Sequence, residues 1–210
     1  MIDNINFKAN YIKPAVIQHL EKGIYKPIEA SFIKYDVKNS RDLKALGDIA
    51  KNWGKLNYAK SIFRYAKIMR EYGNVVGNSI LDVYMLILPQ DSYEKVEPQN
   101  ILGCALVDRF TKEKLSLKYL QVNPRYTSNK RPVAEKGFWG FVEKRLFGKK
   151  HTEYKHIGKG ILDSIKSYYS KVNVIELAPD PSAYKFYEKN GFDKRSERFV
   201  NVIEWHRKQK

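Results

Sequence analysis

The chain has 210 residues and 43% hydrophobic content, enough for one good core, and a single domain is the default. Lys and Arg number 39 against 23 Asp and Glu, a formal charge of +16, which speaks either to anionic partners such as nucleic acid or to a lysine-rich proteome, and says little about fold. One cysteine, Cys104, excludes an internal disulfide and suits a reducing cytoplasm, and no apolar run reaches the length of a secretory signal or a membrane-spanning helix.

Residues 1 to 27 read as an N-terminal extension, with a short helix predicted from Pro14 to Lys22. Ile28 to Val37 alternates as a first strand. Ser40 has the chemistry of an N-cap, and Leu43, Leu46, Ile49 and Ala50 recur at helical spacing as far as Trp53. A second helix is predicted from Tyr58 to Tyr72, with Ile62, Tyr65, Ala66 and Met69 on one face. Ser79 to Leu88 and Asn100 to Arg109 read as two strands, and Cys104 sits in the second as a core thiol. Leu115 to Val122 is a fourth strand, stopped by Pro124.

From Arg125 to Gly160 ten Lys/Arg oppose three Glu, and within that stretch Pro132 to Phe147 has an amphipathic helical pattern. This basic segment, 125 to 153, reads either as a lid with solvated lysines or as an element gripping an anionic acceptor such as RNA. It leads into Lys155-His156-Ile157-Gly158-Lys159-Gly160 and then a helical period carried by Ile161, Leu162 and Ile165. Two glycines at the mouth of a helix let backbone N–H groups converge where the helix dipole is positive, which suits phosphate. Val172 to Ala178 is a further strand, Pro181 to Asn190 a further helix, and Arg198 to Trp205 a final edge strand.

The segments Val122-Asn123-Pro124, 155 to 160, and Ala183-x-x-x-Tyr187-x-x-x-Gly191-Phe192, in this order, resemble the acetyl-CoA core of the GCN5-related N-acetyltransferase (GNAT) superfamily. The resemblance covers Ile101 to Phe192 and is topological outside it. It implies a single mixed α/β (α+β) domain spanning 1 to 210, with 125 to 153 as an insertion between the fourth strand and the pyrophosphate-loop helix. It implies acetyl-CoA as co-substrate, held by Leu120, Gln121 and Val122 along the arm and by Lys155, His156, Ile157, Gly158, Lys159 and Gly160 at the pyrophosphate. Asp180 and Ala183 would add contacts from the motif that closes the site. Tyr187 takes the place of the family tyrosine that protonates the departing thiolate. Lys155 stands where the family has Gln or Arg, Asp180 where it has Asn, and the insertion lengthens a usually short connection.

The general base is left open. The fourth strand carries no acid, and Glu176 and Glu71 are candidates without a motif. The four histidines have no metal-ligand spacing, and no metal is expected. The implied activity is acetyl transfer to a primary amine of a protein or small molecule. Two alternatives stand beside it: a toxin-like enzyme acting on aminoacyl-tRNA, and a non-catalytic module binding acyl-CoA or RNA. The sequence fixes no oligomeric state, and a dimer is compatible with it.

Overall fold

Lys22 and Gly23 both take positive φ, 50° and 83°, and turn the chain back between two long strands, β1 (Asn10–Glu21) and β2 (Ile24–Lys34). The structure, a computed structural model, describes residues 10–53, 58–73, 75–76, 79–90, 96–127, 152–193 and 202–207. The helix expected from Pro14 to Lys22 is therefore a strand. Ala15 and Ile17 point into the core at period two, and β1 pairs with β2 from Asn10↔Lys34 to Glu21↔Ile24, so tertiary pairing overrides a weak helical pattern. The expected first strand is shifted accordingly, ending at Lys34.

Helix α1 (Ser40–Asn52) is capped by Asn39, whose side chain accepts from the N–H of Arg41 at 2.9 Å, so the cap lies one residue before Ser40. Helix α2 (Ala59–Tyr72) packs against α1, burying Ile62, Ala66 and Met69 beside Leu46 and Ile49. The chain then enters β3 (Val75–Val76), β4 (Ser79–Ile87), β5 (Ile101–Arg109) and β6 (Lys114–Val122). After the stretch 128 to 151 come β7 (Tyr154–Lys155), α3 (Ile157–Tyr168), β8 (Val174–Leu177), α4 (Tyr184–Lys189), β9 (Phe192–Asp193) and β10 (Ile203–His206). The expected helix Pro132 to Phe147 lies outside the described residues.

One sheet runs β7-β1-β2-β4-β5-β6-β8-β10-β9, with β3 beside β4, and every pair is antiparallel except β6–β8. The last strand is not an edge, because Ile203–His206 lies between β8 and β9. Helices α1 and α2 cover one face over a core that includes Cys104, whose thiol burial pushes up and leaves inert. Helix α3 covers the other face, where Ile157, Ile161 and Ile165 meet Leu86, Leu102 and Ala105. The feet of the 125–153 segment meet on this second face. Tyr126 packs edge-on against Tyr154 at 5.0 Å, and Leu20 donates its N–H to Glu153 O at 2.8 Å.

Asp42, in the first turn of α1, is fully buried, and neither carboxylate oxygen finds a side-chain partner among the described residues. Burial, opposed by a backbone N–H from Asp36, pushes its carboxyl up to about 7. A carboxyl raised in the folded state favours folding most when protonated, so stability falls as pH climbs from about 4 to 7. Asp42→Asn removes that dependence. The variant is expected to melt several degrees above wild type at pH 8 and to lose the advantage at pH 4, measured by thermal unfolding across that range.

Candidate active site

The parallel pair β6–β8 holds only from Lys114↔Val174 to Ser116↔Glu176. The cause lies on the other edge of β6. The register with β5 shifts between Leu106↔Tyr119 and Val107↔Leu117, leaving Lys118 as the extra residue of a bulge. A bulge bends and twists its strand. Beyond it, β6 continues to Val122 paired with β5 alone, and a gap opens between Leu117–Val122 and the end of β8. The bulge also resets the alternation: Leu115 and Leu117 face the α3 core before it, and Leu120 and Val122 face that core after it.

At the far end of the gap stands the N-terminus of α3. His156 takes left-handed backbone, φ 64°, without the help of glycine, and so turns the chain from β7 into the helix. Its carbonyl accepts the first helical bond, from Gly160 N–H at 2.8 Å. The N–H groups of Ile157, Gly158 and Lys159 precede that bond and converge at the helix mouth. The Gly160 N–H is committed inside the helix. Gly158 is closely packed: a Cβ there would lie 3.0 Å from Phe186 Cζ, tight enough that the ring would have to shift, and 3.5 Å from Val122 Cγ2. Gly160 allows the helix to close on Ile17 and Leu86, at 3.3 and 3.4 Å from a hypothetical Cβ.

The two cations of this loop are held differently. The Lys155 ammonium lies 3.6 Å from the centroid of the Tyr25 ring, which is itself pinned by a bond from its hydroxyl to Thr152 O. Lys159 pairs with Asp163 one turn on. Asp180 accepts from Ser182 N–H at 2.9 Å and from Ser182 Oγ at 2.6 Å, so it caps the turn Pro181–Ala183 that launches α4 and carries Ala183.

Tyr187 projects from α4 into the α3-side core, with its ring edge-on to Phe192 at 5.6 Å and to Phe186 at 5.0 Å. Burial raises its phenol above the ordinary range, and the nearby Tyr58 raises it further. Tyr58 belongs to the opposite side of the sheet. It precedes α2, donates its N–H to Gln121 Oε1 at 3.1 Å and lies 5.4 Å from the Tyr119 ring. Its own phenol is raised by burial, then by Asp180 and Tyr119. Tyr58 thus links Tyr119 and Gln121 of β6 to Tyr187 and Asp180, both near enough to act on it electrostatically. Gln121 is spent on structure there, donating to Val122 O at 2.7 Å while receiving Tyr58.

Of the two candidate bases, Glu176 is the last residue of β8 paired with β6 and lines a cleft of about 480 Å³ on the α1/α2 face, with Ser116, Lys114 and Glu204. Glu71 is exposed near the far end of α2, about 20 Å along the helix from Tyr58. Only Glu176 stands at the opening.

A parallel pair that parts in mid-sheet, beside a helix N-terminus, is the defining geometry. A GNAT-family protein from Desulfovibrio desulfuricans superposes with a TM-score of 0.51 at 11% identity, over 84% of this chain and 98% of that one. The chain has the GNAT fold. Tetrahymena GCN5 aligns at a TM-score of 0.48 and 10% identity, covering 85% of this chain and 96% of its own. The Campylobacter jejuni N-acetyltransferase PseH, in complex with acetyl coenzyme A, aligns at 0.44 and 14%, covering 84% and 99%. No family model and no curated protein sequence matches the chain. The GNAT fold extends well beyond the stretch in which the sequence itself carries the resemblance.

Proposed function

We propose that the protein is an acetyl-CoA-dependent N-acetyltransferase acting on a primary amine. The observation that carries the reading is the gap between β6 and β8, bordered at one end by the free N–H groups of α3 and at its side by Tyr187. Coenzyme A brings a pyrophosphate and an extended amide-bearing arm, and the gap matches both. The N–H groups of Ile157, Gly158 and Lys159 would meet the pyrophosphate, with Lys155 and Lys159 adding charge. The unpaired edge of β6 around Leu120 to Val122 would meet the arm as an added strand does. A Cβ at Gly158 would lie in ordinary contact with Val122 Cγ2, at 3.5 Å, so the helix mouth and the edge of β6 are neighbours.

Two tasks remain for side chains. The phenol of Tyr187, kept protonated by burial, delivers a proton to the departing sulfur. A backbone N–H of β6 polarises the acetyl oxygen as charge develops on it.

Calorimetry with acetyl-CoA tests the first half of this reading and thiol release in the presence of amines the second. Binding is expected to weaken severalfold in Lys155→Gln, and more at low salt than at high, because the lost contribution is charge against phosphate. Unchanged affinity in that variant would remove Lys155 from the site. A wild-type protein that does not bind acetyl-CoA would end the reading altogether.

A further inference from the structure

The two helices that cover one face of the sheet turn their apolar stripes inward and leave a second stripe to solvent. In α1, Leu43, Leu46 and Ile49 are buried while Arg41, Lys44 and Lys51 are exposed. In α2, Ile62, Ala66 and Met69 are buried while Arg64, Lys67 and Arg70 are exposed. Both helices pack on the same core, so the two basic stripes share one surface. Within the helices only the half-buried Asp48 and the exposed Glu71 interrupt them. A general excess of lysine would pair as readily here as elsewhere, and it does not. On the strands Lys34 lies 2.7 Å from Asp82, Lys114 2.7 Å from Glu176 and Lys118 3.3 Å from Asp108, and on α3 Lys159 pairs with Asp163. The exposed cations of α1 and α2 named above form no ion pair among the described residues.

Aromatic rings frame this charge. Tyr58, just before α2, is 41% exposed and Tyr72, at its end, 72%, about 20 Å apart along the helix. Exposed rings are platforms for unpaired bases, and the cations between them suit the phosphates that join those bases. A protein partner fits less well. Interface cores are apolar and poor in lysine, whereas the outward stripe of α2 offers only Ile68 among large aliphatics. A membrane surface also fits poorly, because the apolar faces that would enter lipid are packed on the sheet. Tyr58 donates its N–H to Gln121, so this surface abuts the strand that borders the gap. We infer that the α1/α2 face binds single-stranded nucleic acid, with its cations against phosphates and with Tyr58 and Tyr72 against base faces. The binding needs no acetyl-CoA and is independent of acetyl transfer.

The test uses the whole chain and a fluorescent oligouridylate of about 15 nucleotides, titrated by anisotropy without acetyl-CoA over a range of salt. A triple variant, Lys44→Gln with Arg64→Gln and Arg70→Gln, is expected to bind about tenfold more weakly at low salt. Its slope of log affinity against log salt should be shallower by about 2, since each phosphate contact to a single strand contributes about 0.7. A second triple loses the same charge at exposed sites elsewhere, Lys22→Gln with Lys171→Gln and Lys189→Gln. It should keep the wild-type slope, which separates this face from the net charge of the chain. Tyr72→Ala should weaken binding about tenfold and leave the slope unchanged, as the loss of one stacked base does. These side chains are exposed, so thermal unfolding should be close to wild type in every variant. Equal slopes in the two triples overturn the inference, as does a wild-type protein that does not bind the oligouridylate. A duplex bound as tightly as the single strand also overturns it, because paired bases offer no face to Tyr58 and Tyr72. Polyglutamate bound as tightly as the oligouridylate does so too, and would assign the surface to an acidic protein instead.

Discussion

Tyr187→Phe is expected to lower kcat by about a hundredfold while leaving the affinity for acetyl-CoA nearly intact, the scale of one positioned proton donor. The change removes a single hydroxyl from a ring whose packing against Phe186 and Phe192 is unaltered. That hydroxyl has no hydrogen-bond partner among the described residues. Folding therefore loses little, and the melting temperature should stay within a degree or two of wild type. The separation of effects is what identifies a proton donor: stability and ground-state binding are unmoved and only turnover falls. Burial and the neighbouring Tyr58 both oppose the phenolate, so in the wild type the alkaline loss of activity should not set in at the ordinary tyrosine range near 10. A Tyr187→Phe protein with full turnover would take Tyr187 out of the mechanism and leave sulfur protonation to solvent or to Tyr58, which a Tyr58→Phe measurement would then separate.

The site was legible in the sequence where local chemistry is sufficient. Glycine at a helix mouth, proline after a strand and an aromatic at a fixed distance before Gly191-Phe192 each depend on neighbours in the chain, and each lies where the pattern placed it. What was missed depends on partners far away in sequence. The strand Asn10–Glu21 has a proline at position 14 and little of its own to distinguish it from a short helix; its identity comes from β2. Tyr58 enters the site through Gln121, 63 residues on. Glu176 could be named as a base but not located, because its neighbours Lys114 and Glu204 come from two other strands. One signal was present and unread. The apolar positions of β6 change phase at Lys118, from Leu115 and Leu117 to Leu120 and Val122, and that slip is the bulge that opens the gap.

Gly103 is the other position with a large expected effect, and it lies outside every motif. A Cβ added there would sit 2.8 Å from Ile161 Cδ1, 3.0 Å from the Gln121 backbone carbonyl and 3.3 Å from Ile157 Cγ2. The first turn of α3 rests on this bare stretch of β5, so the glycine sets how close the helix mouth comes to β6. Gly103→Ala is expected to cost about 1–3 kcal/mol, the usual range for overpacking a filled core. At this chain length that lowers the melting temperature by roughly 2–10 °C. The same displacement lifts the N–H groups of Ile157 to Lys159 away from the gap, so acetyl-CoA affinity should fall severalfold although no residue of the loop has changed. Ile161→Val in the same protein removes the terminal methyl that clashes at 2.8 Å and should restore part of the stability. Recovery cannot be complete, because the Gln121 carbonyl is backbone of β6 and can yield only by moving the strand that borders the gap. Loss of stability with acetyl-CoA affinity untouched would show that the helix mouth is not held by this contact, and would separate the packing of α3 from the geometry of the site.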